Sequence, residues 1–201
     1  NQTYFWIGNV GVAVDYLARA ELNLANTVFG GRFTSMLMTE LRVRSGLTYS
    51  ARSALVRHSQ PGSVTIRSFT ETGTTTQAID LALDVLERLR ISGLDEEMIA
   101  SARNYIMGQF PPSLETVSAL AGMLAFLEQN GLDRSYIDDY GAALEAATPV
   151  SIHNTISDVY PAADDLVFVL IGDADAIRED VAKYGPVTEM SITEPLFRPQ
   201  K

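Results

Sequence analysis

An α+β two-layer sandwich is expected here: a mixed, mostly antiparallel sheet with helices on one face. Two observations lead to it. The elements follow the order β-α-α-β-β-α-α-α-α-α-β-α, with helices gathered after strands rather than alternating with them. Two β-rich stretches, 47–57 and 63–72, are separated only by His58-Ser59-Gln60-Pro61-Gly62, the composition of a hairpin loop. Size agrees with one domain, since 201 residues sit at the upper end of the ~100–200 usual for a domain.

The elements can be justified in turn. Tyr4 to Val14 is rich in β-branched and aromatic residues and reads as a strand, with Phe5 and Trp6 both expected in the core. Asp15 is the expected N-cap of a helix carrying Tyr16, Leu17, Ala20, Leu24 and Val28, stopped by Gly30-Gly31. A second helix is predicted over 33–45, with Phe33, Met36, Leu37 and Leu41 apolar and Gly46 as its C′ residue. After the hairpin, Thr74-Thr75-Thr76 offers N-cap hydroxyls to a helix with Ile79, Ala82, Leu83, Leu86 and Leu89 inward, ended by Gly93. Asp95 caps the next helix, which runs to the break at Pro111-Pro112. Helical patterns follow over 113–129, 134–147 and 151–159. The apolar run Leu166–Ile171 suits a strand buried on both faces. Residues 176–184 form the last predicted helix. The domain is therefore drawn as 1–186, with 187–201 as an extended C-terminal arm.

Composition removes several functions. Fifteen Lys and Arg against twenty-five Asp and Glu leave a net charge of −10, a poor footprint for nucleic acid. No apolar run approaches the ~18 residues of a membrane span. With 46% hydrophobic residues the chain can bury a core. It contains no Cys, which excludes disulfides, thiolate nucleophiles and Cys-based zinc sites. Its two histidines, His58 and His153, have no Glu or His at a ligand-like offset and are read as structural or surface residues, so no metal site is expected. P-loop, dinucleotide-binding and nucleophile-elbow motifs are absent. The acidic pairs Glu96-Glu97, Asp138-Asp139 and Asp164-Asp165 fall at expected helix starts and turns. An opening Asn1-Gln2-Thr3, without Met or a signal sequence, suggests a processed product or a piece of a longer polypeptide.

One segment carries chemistry. In Gly30-Gly31-Arg32-Phe33-Thr34-Ser35-Met36-Leu37 and on through Leu41-Arg42 to Gly46-Leu47-Thr48-Tyr49, Arg42 and Tyr49 stand seven residues apart across a helix-to-strand turn. A guanidinium and a phenol brought together there would both donate hydrogen bonds to a peptide carbonyl or oxyanion. The plain alternative is the reading that these residues by themselves favour. Arg42 would complement a helix C-terminus, and Tyr49 would be a half-buried strand aromatic.

The segment resembles the second, non-zinc half of the pitrilysin/insulinase (inverzincin) peptidases, whose signature runs Gly-Gly-x-Phe-x-Ser-x-Leu, Leu-Arg, Gly-Leu-x-Tyr. Similarity continues in order through Gly62-Ser63, Ala78-Ile79-Asp80, Asp95-Glu96-Glu97, Val169–Asp173 and Tyr184–Val187. Met36 departs from it, standing where Arg is frequent. The resemblance implies half of a zinc endopeptidase. A homologous partner domain or subunit would carry zinc on His-x-x-Glu-His. Here Arg42 and Tyr49 would bind the substrate carbonyl and stabilise the oxyanion, with Gly30, Gly31, Phe33 and Ser35 near the peptide. It implies no zinc in this chain, no hydrolysis by this chain alone, and export to a bacterial periplasm. A non-catalytic scaffold subunit on the same fold is the alternative that it leaves open.

Overall fold

The computed structural model describes residues 1–194. A four-stranded sheet in the order β2-β3-β1-β4 is built from β1 (Gln2–Val10), β2 (Ala51–Val56), β3 (Ser63–Glu71) and β4 (Val167–Ile171). Every ladder is antiparallel, so the sheet is not mixed. β1 is central: Ile7 faces Ile66 on β3 and Phe168 on β4.

Helices cover one face. α1 (Arg19–Asn26) runs into a π-helical turn at Thr27–Gly31, and the short α2 (Met36–Met38) continues as a π-helical segment over Thr39–Arg44. α3 (Thr75–Ser92), α4 (Glu96–Gln109), α5 (Val117–Asn130), α6 (Ser135–Asp138), α7 (Tyr140–Ala146) and α8 (Pro149–Val159) lead to β4, and α9 (Ala174–Val181) follows it. Phe5, Ile7, Val64 and Ile66 on the inner sheet face join Leu22, Leu24, Ile79, Leu89 and Ile156 in one core. Burial of this kind stabilises by ~25 cal/mol per Å² of apolar surface. Capping follows the sequence at Asp95, whose carboxylate accepts from the Met98 N–H at 2.8 Å. No single helix among the described residues is long and apolar enough to cross a membrane.

Several expectations are corrected. β1 ends at Val10, because the Val14 N–H donates to His58 O and Gly11 N–H to Gly62 O, tying residues 11–14 to the hairpin loop. Helix α1 accordingly starts at Arg19; Asp15 caps nothing and Leu17 is fully exposed. Phe33 is solvent-exposed rather than on an apolar helix face. β2 begins at Ala51, four residues later than predicted. The hydroxyl of Thr74 does not cap α3 but donates to Glu71 O, inside a 3-10 turn that precedes the helix. The predicted helix over 134–147 is interrupted at Asp139, and α8 starts at Pro149, where Thr148 and Ser151 form a reciprocal capping box.

Two corrections bear on function. β4 closes one end of the sheet and is half-exposed, with Val167, Val169 and Ile171 facing outward. Trp6 is also on the outer face and 52% exposed, whereas Phe5 is fully buried. The arm proposed over 187–201 is described only as far as Glu194; Glu189 binds Arg178 of α9 at 2.8 Å.

Candidate functional site

The glycine-framed segment forms a compact knuckle between α1 and β2. Gly30 is buried against β2: a Cβ there would lie 2.3 Å from the Ser53 nitrogen and 2.6 Å from its hydroxyl. Only glycine fits this approach. Ser53 Oγ donates to Asn26 Oδ1 at 2.6 Å, closing the contact between α1 and β2. The chain then extends through Arg32 and re-enters a helix at Ser35, whose buried hydroxyl accepts from the Met38 N–H. Gly30 and Ser35 thus lie beneath the surface, and Gly31 is exposed.

Past Met38 the helix widens. The Ser45 N–H reaches back five residues to Glu40 O at 3.1 Å, the spacing of a π turn, a feature often found at functional sites. Gly46, at φ +68°, reverses the chain, a conformation that favours glycine. The Thr48 N–H donates to Leu41 O, while Ser68 on β3 donates to Thr48 Oγ1 at 3.1 Å. Tyr49 is consequently held in the connecting loop, not in the strand, and is 72% exposed.

These constraints bring three of the predicted residues together. The Arg42 guanidinium lies 4.3 Å from the Tyr49 ring centre and 5.1 Å from that of Phe33. Exposed cation–π contacts are worth ~0.5–1 kcal/mol each, enough to bias a flexible side chain. Rings beside a guanidinium engage its π faces and leave the N–H donors in its plane available. The neighbouring arginines are used differently: Glu40 Oε1 binds Arg44 at 2.8 Å and Arg88 at 3.0 Å. Among the described residues, no carboxylate pairs with Arg42. The site is a half-buried cationic donor flanked by two exposed aromatics, suited to an acceptor such as a peptide carbonyl.

Glu40, Thr48 and Ser68 escape a reading of the sequence. Glu40 shows there only a four-residue spacing to Arg44, and the Thr48–Ser68 bond depends on strand register. Among the described residues, no three His, Cys, Asp or Glu side chains gather where they could hold a metal. His58 lies in the hairpin loop and His153 on α8. The residues present do not fit a catalytic zinc site.

Comparison with known proteins follows this geometry. The family described as peptidase M16 inactive domain matches residues 1–106, over half the chain. An uncharacterised zinc protease of Streptomyces coelicolor is 24% identical over 158 residues, covering 79% of this chain and 34% of that protein. The M16 inactive domain from Pseudomonas fluorescens superposes with a TM-score of 0.78 at 23% identity, covering 84% of this chain and 40% of the other. An inactive peptidase domain from Bordetella parapertussis gives 0.74 at 13% identity, covering 86% and 93%. The chain therefore spans about a third of the curated relative. With its all-antiparallel sheet, its helical layer and its glycine-framed knuckle, this chain belongs to the M16, or pitrilysin/insulinase-type, peptidases as one of their inactive domains.

Proposed function

We propose that this domain completes the active site of a zinc endopeptidase whose metal lies in a partner half carrying His-x-x-Glu-His. Arg42 binds the substrate backbone carbonyl, and Tyr49 donates to the oxyanion as the tetrahedral intermediate forms. Phe33, with Tyr49, orients the guanidinium, while Gly30 and Ser35 set the knuckle beneath it. The observation that carries this reading is Arg42 itself. It is set between two exposed rings, while the carboxylate of Glu40 is taken up by Arg44 and Arg88. The metal's contribution would be activation of water in the other half; this chain's own residues bind and orient the peptide and hold developing charge.

The test is peptide turnover by the complete enzyme carrying Tyr49→Phe or Arg42→Lys. Loss of one oxyanion donor elsewhere costs ~10²–10³ in kcat, and a fall toward that range is expected for Tyr49→Phe. Arg42→Lys should raise KM more than it lowers kcat, because the charge persists while the planar donor set is lost. Unchanged turnover in both variants overturns the assignment and favours a non-catalytic scaffold role. So does a parent protein in which neither the same polypeptide nor a companion chain carries His-x-x-Glu-His.

A further inference from the structure

Arg32 stands between the glycine pair and Phe33, at the position that the Gly-Gly-x-Phe signature leaves open. Its backbone is extended, with φ −138° and ψ 169°. Successive side chains of an extended chain point to opposite sides. Phe33 accordingly turns to Arg42, 5.1 Å from ring centre to guanidinium. Arg32 turns the other way, to α4, where its Nη1 donates to Ser101 Oγ at 3.0 Å. Met98, Ser101 and Tyr105 follow one another at three and four residues along α4 and so share one face. All three are exposed, and the Tyr105 ring centre lies 6.0 Å from the Arg32 guanidinium.

The other donors of Arg32 lack acceptors. Among the described residues, its buried Nε has no partner and its Nη2 forms no hydrogen bond. A buried donor without an acceptor is unfavourable, and such a group in a folded protein calls for an explanation. Nε and Nη2 share one edge of the guanidinium, and such an edge holds a carboxylate through two parallel hydrogen bonds. Among the described residues, no carboxylate takes that place. Glu40 serves Arg44 and Arg88, and Glu97, one turn before Ser101, forms no ion pair with Arg32. A net charge of −10 opposes an acidic ligand at long range, so accepting one requires a local cation of this kind.

We propose that Arg32 selects substrate by binding the side-chain carboxylate of an Asp or Glu in the peptide. Ser101 holds the guanidinium in place, and Met98 and Tyr105 flank the aliphatic part of the acidic side chain. This subsite lies across the extended segment from Arg42. At ~3.3 Å of extended peptide per residue, the acidic residue falls within about four residues of the carbonyl that Arg42 holds. The inference rests on the proposed binding of peptide at Arg42, but not on the oxyanion role of Tyr49.

The test uses the complete protease with its zinc-bearing half and a series of quenched fluorescent peptides, otherwise uncharged. One Glu, or a Gln in its place, is moved through about four positions on each side of the scissile bond. Each peptide is read twice: as kcat/KM, and as affinity by fluorescence anisotropy after a chelator has removed zinc, so that recognition is measured without turnover. At one position Glu should be favoured over Gln by ~10-fold or more in both readouts. Arg32→Gln should bring that ratio to about one while changing the Gln peptide less than ~2-fold, and Arg32→Lys should keep part of the preference. Arg134→Gln removes the same charge from an exposed site at the start of α6 and should leave the ratio intact. No preference at any position overturns the proposal, as does a preference that survives Arg32→Gln or is lost equally in Arg134→Gln. Arg42→Lys and Tyr49→Phe should alter turnover of the Glu and Gln peptides by the same factor, which separates the two readings. Discrimination lost in Arg32→Gln, with turnover unchanged by Tyr49→Phe, keeps the subsite and removes the oxyanion role; the reverse pattern removes the subsite alone.

Discussion

The two faces of the sheet are made of nearly the same residues and live in opposite environments. On β1, Phe5 and Ile7 are fully buried in the core they share with residues of α1 and α3, while Tyr4 and Trp6, one position away, meet solvent. Alternation along a strand ordinarily places polar residues outward. Here both sides are apolar, so the strand's hydrophobicity cannot say which side is the core. Burial on the inner side is provided by the chain's own helices. Among the described residues the outer side has no helical layer, and Arg52 and Arg67 there form no ion pair.

Breaking the inner face should cost most. Phe5→Ala removes a fully buried aromatic and is expected to destabilise by ~3–5 kcal/mol, measured by urea denaturation. Trp6→Ala should cost only ~1 kcal/mol in the same assay, since the ring is half exposed and loses chiefly its contact with Arg67. Equal costs for the two would mean that the faces are not distinct. A smaller change of opposite sign sharpens the contrast. Arg52→Glu converts a like-charged cross-strand pair into an opposite-charged one and should stabilise this chain by ~0.2–1 kcal/mol in the same assay.

The smallest effect concerns the far end of the inner face, where Phe168 of β4 stacks on Tyr184 at 5.2 Å. Burial opposes ionisation of Asp80 on α3, but hydrogen bonds from Lys183 (2.6 Å) and Tyr184 (2.7 Å) outweigh it and hold its pKa below the ordinary 3.8. A lowered carboxyl pKa contributes stability that is present above the ordinary value and disappears as pH falls through the lowered one. Asp80→Asn should therefore cost less than ~1 kcal/mol at pH 7, given the exposure of the pair. The difference from the unsubstituted chain should shrink below pH 3.8 and vanish once the pH has fallen through the lowered value. A difference that persists there would assign the loss to packing instead.

Much of the architecture was readable from local chemistry. Asp95 at a helix start, Gly46 after Arg44 and the Pro-Gly loop before Ser63 each act within a few residues, so their consequences could be stated from the sequence. The Arg42–Tyr49 segment stood out for the same reason, and its resemblance to known peptidases pointed to the family that comparison then established. What escaped depends on partners distant in sequence. Tyr49 sits in a loop because Thr48 is bonded to Leu41 and Ser68, and β1 stops early because Val14 is tied to His58. α5 shows the limit most plainly: its pattern gave a helix, but not that Val117 and Leu124 would be exposed, because among the described residues no element packs over them.

Sequence alone therefore settled the kinds of element and most of their punctuation, because capping, turn formation and periodicity are short-range. Tertiary contacts settled which face of the sheet is inside, where Tyr49 stands and how Arg42 is presented. Those outcomes turn on strand register and on which apolar surfaces find a partner, and both join residues that are far apart along the chain.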